Sequence, residues 1–203
     1  MLNVCLYGQN IRLGVPYGHT SGVNKVLFGP NNNYILSSSQ DGTMNIWRRS
    51  DGLLIYNIRN SGVSGSITND AEFSPDGEHM MLVSSDSTVK VYDFIKGELV
   101  HELKGQSAIH KTTYSPDGKY ILSSADECIL WDAESGEQIR TVQSGYKISG
   151  RFLKGSGLIA INSGYHKGNR VEVYSLNGSL LHSFKIYSKG QLYVFRRSLG
   201  FGF

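Results

Sequence analysis

Residues 25–58 read KVLFGPNNNYILSSSQDGTMNIWRRSDGLLIYNI, and this stretch contains four short runs rich in apolar residues. Their alternating pattern predicts β-strands at 25–28, 34–39, 43–47 and 53–58. Asp-Gly pairs precede the third and fourth runs, and such pairs suit tight turns because glycine adopts a positive φ without strain. Four strands that follow one another through short turns predict one antiparallel sheet.

The same pattern recurs along the chain at a nearly constant spacing. Ser-Pro-Asp-Gly occurs at 74–77 and again at 115–118, each time after an aromatic residue and before an apolar run. An aromatic residue also ends an alternating run at positions 7, 47, 92, 131 and 174, with spacings of 40, 45, 39 and 43 residues. A repeat of about 42 residues built from short strands is typical of the four-stranded blades of a β-propeller. Helical repeats are excluded, because the runs alternate in twos and are broken by Gly, Pro and Asn.

These landmarks resemble the WD-repeat family, in which a Gly-His pair precedes a Ser/Thr strand, an Asp turn and a Trp-Asp dipeptide. The first full repeat matches with Gly18-His19, the serines at 37–39, Asp41 and Trp47, although an arginine follows the tryptophan. The next two repeats end their third strands with Tyr-Asp at 92–93 and Trp-Asp at 131–132. The resemblance extends over about residues 2–185.

The resemblance implies that these side chains form a hydrogen-bonded chain within each blade, and not a catalytic triad. A satisfied buried network of this kind makes a blade rigid and leaves no unpaired donors. Only the first full repeat carries the whole set, with either Ser37 or Ser39 as the hydroxyl, so we expect looser second and third blades. The residues assigned to the structural network are His19, Ser37, Ser39, Asp41, Trp47, Asp86, Tyr92, Asp126 and Trp131.

We therefore predict an all-β fold, a WD-repeat β-propeller of about four full blades in a single domain over residues 1–203. The repeats are placed at about 19–59, 60–104, 105–143 and 144–185, and residues 2–18 and 191–203 are expected to supply parts of one further blade. If the two ends share that blade, the ring closes with five blades. Otherwise the ring is incomplete, and it is a fragment or is completed by a partner chain, because exposed strand edges invite pairing.

Charge is distributed unevenly along the chain. The net charge is +3; residues 1–135 contain 10 Lys/Arg and 15 Asp/Glu, whereas residues 136–203 contain 10 and 2. A basic C-terminal part suggests an anionic partner, either RNA or an acidic protein. The alternative is a surface that merely happens to be rich in lysine and arginine. Candidates for a basic face are Arg140, Arg151, Lys154, Arg170, Arg196 and Arg197.

The cellular setting is predicted from features of the whole sequence. The two cysteines, Cys5 and Cys128, lie in apolar runs, which favours buried free thiols in a reducing compartment. No apolar run approaches the roughly 18 residues that a membrane-spanning helix needs, and the N-terminus does not resemble a signal peptide. We expect an intracellular protein, cytoplasmic or nuclear, that does not insert into a membrane.

The favoured function is a non-catalytic protein-interaction scaffold within a larger assembly. In the family, partner contacts concentrate at the end of the propeller that bears the Asp turns and the loops between blades, and loops on a rigid frame commonly carry binding. The residues that this position suggests as partner contacts are Asn24, Gln40, Asn69, Ser85, His110 and Ala125.

A propeller enzyme is the third alternative, after the scaffold and the binder of RNA or an acidic partner. The sequence has no P-loop, no His-Glu-x-x-His pattern, no Gly-x-Ser-x-Gly elbow and no dinucleotide fingerprint, which are the common local signatures of catalytic sites. We therefore predict no catalytic residues, no cofactor and no metal ion.

Overall fold

The computed structural model describes residues 3–7, 10–14, 18–59, 68–105, 108–145, 148–163, 170–186 and 192–195. Its regular elements within these ranges are β-strands, together with one short 3-10 turn at Pro30–Asn32. The first two strands, β1 (Asn3–Tyr7) and β2 (Asn10–Gly14), form a separate antiparallel hairpin. The strands that follow form four larger antiparallel sheets.

Each large sheet contains a meander of four consecutive strands, and we number the sheets as blades 1 to 4. Blade 1 contains β3 (Val23–Phe28), β4 (Tyr34–Ser39), β5 (Thr43–Arg48) and β6 (Leu54–Arg59). Blade 2 contains β7 (Thr68–Phe73), β8 (His79–Ser84), β9 (Thr88–Asp93) and β10 (Leu99–Lys104). Blade 3 contains β11 (Lys111–Tyr114), β12 (Tyr120–Ser124), β13 (Glu127–Asp132) and β14 (Gln138–Ser144). Blade 4 contains β15 (Ser149–Leu153), β16 (Leu158–Ser163), β17 (Arg170–Ser175) and β18 (Leu180–Ile186).

The blades follow one another in chain order, and the first strand of each is the innermost. Strand β7 contacts β3 and β4 of blade 1, β11 contacts β7, and β15 contacts β11 and β12. This succession of four-stranded antiparallel sheets confirms the predicted all-β propeller of the WD-repeat type.

The repeated Ser-Pro-Asp-Gly motif forms the turn between the first two strands of blades 2 and 3. In blade 2 the Ser74 hydroxyl donates to Asp76 Oδ1 at 2.5 Å, and the same oxygen accepts the Glu78 N–H at 2.9 Å. Gly77 follows with a φ of 78°, a left-handed value that favours glycine. Blade 3 repeats the arrangement with Ser115 and Asp117 at 2.6 Å. The motif recurs in the sequence because each of its residues has a defined role in this turn.

Both faces of the middle strands of blades 2 and 3 are buried, because each of these two blades packs against a neighbour on either side. In β8, Met80 and Leu82 pack against blade 1, whereas Met81 and Val83 pack against blade 3. Three buried clusters result, one at each blade–blade interface. The cluster of blades 1 and 2 includes Leu36, Met44, Ile46 and Ala71; that of blades 2 and 3 includes Val89, Val91, Ile121 and Ile129; that of blades 3 and 4 includes Leu122, Leu130, Ile159 and Ile161.

Gly150 on β15 allows blade 4 to approach blade 3 closely, and this gives a prediction. A methyl group at Gly150 would lie 2.6 Å from Leu122 Cδ2 and 3.0 Å from Cys128 Sγ, two side chains without solvent exposure. We expect Gly150→Ala to lower the free energy of unfolding by about 1–3 kcal/mol, the usual cost of overpacking, in a denaturant titration. Gly18→Ala is the control, because no atom lies within 4 Å of that methyl position. Equal stabilities of the two variants would contradict the packing argument.

The C-terminal strand differs from the expectation that residues 191–203 and 2–18 share a blade. Strand β19 (Leu192–Phe195) pairs antiparallel with β18 and becomes the fifth strand of blade 4, with Phe184 opposite Val194. The physical reason is that β18 presents an unpaired edge, and a strand that follows after a short connection readily pairs with it in antiparallel fashion. The described parts of the two chain ends therefore belong to different sheets.

Candidate interaction surface

A hydrogen-bonded chain connects His19, Ser37 and Trp47 in blade 1. The Trp47 Nε1–H donates to Ser37 Oγ at 2.9 Å, and Ser37 Oγ lies 2.7 Å from His19 Nε2. His19 Nδ1 lies 3.2 Å from Asp41 Oδ2 and 3.0 Å from Thr43 Oγ1. Because an ionised carboxylate only accepts, Nδ1 carries a proton on the side of Asp41, and Nε2 faces the Ser37 hydroxyl.

Asp41 anchors this chain to the turn between β4 and β5. Burial opposes its ionisation, but hydrogen bonds from the Thr43 hydroxyl and from the Thr20 and Thr43 N–H groups, together with the nearby His19, lower the pKa of Asp41 to about 2. Ser39 lies outside the chain, since its hydroxyl donates to the Ser21 carbonyl and accepts the Asp41 N–H. Of the two serines left open by the sequence, the structure therefore brings Ser37 to His19 and Trp47.

Blades 2 and 3 retain parts of the same arrangement. In blade 2 the Thr88 hydroxyl and N–H donate to Asp86 Oδ1, and Tyr92 is buried in the cluster between blades 1 and 2. In blade 3 the Trp131 Nε1–H donates to Ser123 Oγ at 2.8 Å. Asp126 is exposed, and its carbonyl accepts the Gly145 N–H.

Blade 4 contains a different buried network, which the sequence interpretation missed. The Tyr174 hydroxyl lies 2.9 Å from Glu172 Oε2 and 2.7 Å from Gln143 Oε1 of blade 3, and Gln143 Nε2 donates to Glu172 Oε2 at 3.2 Å. Burial and the Glu172 carboxylate raise the pKa of Tyr174. The only sequence signal was a carboxylate two residues before the strand-ending tyrosine.

The predicted partner-contact residues divide into separate groups. Asn24 and Gln40 are exposed and lie side by side, with Gln40 Nε2 3.4 Å from Asn24 Oδ1, and Asn24 Nδ2 donates to the Thr68 carbonyl at 2.7 Å. Ser85 is half-buried and His110 is exposed. Asn69 lies on β7, but its side chain is outside the described part of the structure. We call the surface formed by Asn24 and Gln40 the rim.

Ala125 does not belong to this surface, and its assignment as a partner contact was wrong. It is 6% exposed and packs in the cluster between blades 2 and 3. Its N–H donates to the Glu127 carbonyl, and its own carbonyl accepts the Ile148 N–H. Position in a turn predicted exposure here, but the Ala125 side chain points into the core.

The predicted basic residues lie on different elements. Arg140 is exposed on the outer strand β14 and donates to the Asn177 carbonyl. Arg151 is exposed on the inner strand β15, with Lys154 in the turn that follows. Arg170 is half-buried on β17. Arg196 and Arg197 lie outside the described residues.

Charged side chains of the inner strands meet across the blade boundaries. Lys25 Nζ of blade 1 lies 2.5 Å from Asp70 Oδ1 of blade 2, and Asp70 Oδ2 accepts the Thr112 N–H of blade 3 at 3.5 Å. Burial raises the pKa of Glu72 to about 7, although a hydrogen bond from the Tyr114 N–H opposes the shift. These carboxylates thus bind backbone N–H groups at the inner edge of the next blade, and we call them the inner-edge carboxylates.

Neither a metal centre nor a membrane span is apparent in the described ranges. No group of three or more His, Cys, Asp or Glu residues there is placed to hold a metal ion. In the same ranges, no helix combines the length and the hydrophobicity that crossing a bilayer requires.

Four consecutive blades, the first of them with a complete Trp–Ser–His–Asp hydrogen-bonded chain, define a β-propeller built from repeating units. The model of the family described as WD domain, G-beta repeat matches residues 11–48, 57–93 and 97–132, which together make up more than half of the chain. The chain belongs to this WD-repeat family.

Individual relatives match over a part of the chain. It is 26% identical over 137 residues to the pre-mRNA-splicing factor cwf17 of Schizosaccharomyces pombe, and 28% identical over 137 residues to the small ribosomal subunit protein RACK1y of Oryza sativa subsp. japonica. Each match covers 66% of the chain and 40% of the relative. The cilia- and flagella-associated protein 52 of Sus scrofa is 36% identical over 107 residues, which cover 52% of the chain and 17% of that protein. The chain therefore spans less than half the length of these relatives.

Proposed function

We propose that the chain is a non-catalytic platform that binds other proteins through the rim. The observation that carries this proposal is the pair Asn24 and Gln40, two exposed amides of a rigid blade, one on β3 and the other in the turn directly after β4. Exposed polar groups on a rigid scaffold lose little conformational entropy when a partner binds them. Residues that bind a partner commonly lie on loops and strand ends that a rigid scaffold holds in place.

His19, Ser37 and Asp41 resemble the catalytic triad of a hydrolase, but their hydrogen bonds support a structural role. Both ring nitrogens of His19 are engaged, Nε2 with Ser37 and Nδ1 with Asp41 and Thr43. Ser37 Oγ also accepts the Trp47 indole N–H. A nucleophile needs a hydroxyl that faces substrate with its base alongside, whereas this hydroxyl is enclosed between a tryptophan and a histidine.

The names of the relatives refer to pre-mRNA splicing, the small ribosomal subunit, and cilia and flagella. One fold thus occurs in proteins named for very different settings, and function depends on the surface that each one carries. The relatives support an intracellular scaffold, cytoplasmic or nuclear, as part of the proposal. Further blades, in the same chain or in a partner chain, would complete the ring.

The experiment is affinity capture with the purified chain from an extract of its source cells, followed by mass spectrometry. We expect a set of specifically bound proteins. The captured amount of each should fall at least fivefold for Asn24→Ala/Gln40→Ala, because lost contacts of about 1 kcal/mol or more at an interface change affinity by that factor. Asn33→Ala is the matched control, since Asn33 is an exposed amide at the opposite end of blade 1. Capture that responds equally to both variants, or no specific capture, would argue against a rim-binding platform.

Binding of RNA or an acidic partner remains the second proposal, and it is favoured by the exposure of Arg151 and Lys154 on neighbouring positions of blade 4. Phosphate contacts release counterions, so RNA affinity should fall steeply with salt. The test is RNA binding at low and moderate salt, with Arg151→Gln/Lys154→Gln as the variant. Weak binding without a salt dependence would remove this alternative.

A further inference from the structure

A cleft of about 370 Å³ opens between blades 2 and 3, at the end of the propeller opposite the rim. The turn between β7 and β8 forms one wall, and the turns at 117–120 and 132–134 of blade 3 form the other. Its volume is at the lower end of the range for ligand pockets. A large side chain with part of its backbone would fill it, and we call it the interblade cleft.

Carboxylates dominate the lining of the interblade cleft. Asp76, Asp117, Asp132 and Glu134 contribute four acidic groups, against Lys119 and His79 as basic groups. Hydrogen bonds from the Ser74 and Ser115 hydroxyls hold the pKa values of Asp76 and Asp117 below their usual range, and the Ser135 N–H and hydroxyl do so for Asp132. These three groups are therefore ionised at neutral pH.

Each of these aspartates keeps one oxygen for a ligand. The hydrogen bonds that shape the turns reach Oδ1 of Asp76, Oδ1 of Asp117 and Oδ1 of Asp132. Within the described residues, no hydrogen bond or ion pair uses the three Oδ2 atoms. A guanidinium group presents five N–H donors in a fixed fork that suits carboxylate oxygens.

An independent observation is the phenol of Tyr114, which lines the interblade cleft although only 7% of the residue is exposed. Its ring packs in the cluster between blades 2 and 3. Burial and the charge of Asp76 raise the pKa of Tyr114, so the hydroxyl keeps its proton, and it has no hydrogen-bond partner among the described residues. The hydroxyl is open to the cleft and not sealed in the core, so a ligand in the cleft can bind it in place of water.

The spread of the carboxylates indicates the shape of the ligand. Among the described residues, no three acidic or histidine side chains converge closely enough to hold one metal ion. An extended cation can reach separated carboxylates where a metal ion cannot. The half-buried ring of Tyr120 also lines the cleft, and an aromatic face attracts a guanidinium more readily than it attracts a neutral group.

We propose that the interblade cleft binds an arginine side chain in a basic segment of a protein partner. The guanidinium lies among Asp76, Asp117 and Asp132, against the ring of Tyr120. The Tyr114 hydroxyl donates to a carbonyl of the partner backbone. This inference rests on the proposed platform function and adds a second binding site with a defined chemistry.

The test is an NMR titration of the ¹⁵N-labelled chain with the blocked peptide acetyl-Gly-Arg-Gly-amide. The matched probe replaces arginine by citrulline, which has the same shape without the charge. We expect shifts of the Gly118 and Ala133 amide signals with the arginine peptide, and binding at least fivefold weaker with the citrulline peptide. Identical titrations with the two peptides, or no shift of cleft signals at millimolar peptide, would overturn the assignment.

Variants separate the cleft from the rest of the surface. Asp76→Asn/Asp117→Asn/Asp132→Asn keeps an oxygen acceptor in each turn and removes the charges, and it should weaken arginine-peptide binding at least tenfold. Tyr114→Phe should weaken binding to a smaller extent. Asp93→Asn is the control, because Asp93 occupies in blade 2 the position of Asp132 and does not line the cleft. Binding that survives the triple substitution would refute the site.

The outcome is distinguishable from a failure of the proposed function. If the cleft does not bind arginine but protein capture still depends on Asn24 and Gln40, only the cleft inference fails. If capture shows no specific proteins while the cleft binds the arginine peptide, the rim proposal fails and the cleft remains as a binding site. The two experiments use different probes and different variants, so neither result depends on the other.

Discussion

Ser37→Ala is expected to lower the free energy of unfolding by about 2–3 kcal/mol, because it removes one hydroxyl that two side chains share. Trp47 Nε1 would lose its acceptor, and His19 Nε2 would lose the donor that lies 2.7 Å away. The His19 side chain is only 6% exposed, so water restores the lost hydrogen bonds poorly. Denaturant unfolding followed by fluorescence measures the change, and Trp47 itself reports on blade 1.

Ser38→Ala is the matched control on the same strand. Ser38 is fully buried and Ser37 is nearly so, but the Ser38 hydroxyl has no hydrogen-bond partner among the described residues. Its removal takes away an unsatisfied polar atom, so we expect unchanged or slightly higher stability. Similar losses for the two serines would show that strand packing, and not the hydrogen-bonded chain, stabilises blade 1.

A double-mutant cycle tests the link between Ser37 and Trp47 directly. Trp47→Phe keeps an aromatic ring and removes the N–H donor. If the hydrogen bond contributes, the losses for Ser37→Ala and Trp47→Phe should not add, with a coupling energy of about 0.5–1.5 kcal/mol. Ser123 and Trp131 form the equivalent pair in blade 3, and the same cycle there should give coupling of the same sign.

The blade pattern was predictable from the sequence because it depends on local chemistry. Asp-Gly turns, strand alternation and the strand-ending aromatics are each set within a few residues. The pairing of Trp47 with Ser37 also follows from the register of β4 and β5, where Ile35 lies opposite Trp47. The role of Thr43 as a second partner of His19 was missed, since the resemblance supplied no such hydroxyl.

Features that join different blades were not predictable in the same way. Asp70 meets Lys25 and Thr112, which are 45 and 42 residues away along the chain. The edge that β18 offers to β19 depends on which strand is outermost, and the direction of the Ala125 side chain depends on the neighbouring blade. Single-sequence patterns contain no information on these contacts, because each is created by the packing of repeats.

Between about pH 4 and pH 9, the largest pH effect on stability is expected from Glu72. Burial raises its pKa to about 7 from 4.5, and the charge of Asp70 adds to this, whereas the charges of Lys25 and Arg151 and the Tyr114 N–H oppose it. The folded chain therefore keeps a proton that the unfolded chain releases above pH 4.5. Since the folded pKa is the higher one, this stabilisation is complete below about 4.5 and is lost as the pH rises through about 7. A shift of this size corresponds to at most about 3.5 kcal/mol, at about 1.4 kcal/mol per pKa unit.

Glu72→Gln isolates this contribution, because glutamine keeps an oxygen that accepts the Tyr114 N–H but cannot ionise. We expect Glu72→Gln and the unsubstituted chain to have equal free energies of unfolding near pH 4.5. Near pH 8 the variant should be the more stable of the two, in unfolding titrations at a series of pH values. Glu78→Gln, an exposed carboxylate on a turn of the same blade, is the control and should leave the difference between pH 4.5 and pH 8 unchanged. Asp41 affects stability in a separate pH range. Its pKa is lowered to about 2, so the stability that its ionised carboxylate contributes is lost only as the pH falls below about 4. A constant difference between Glu72→Gln and the chain across this range would mean that Glu72 ionises freely, and that the inner-edge carboxylates are open to solvent.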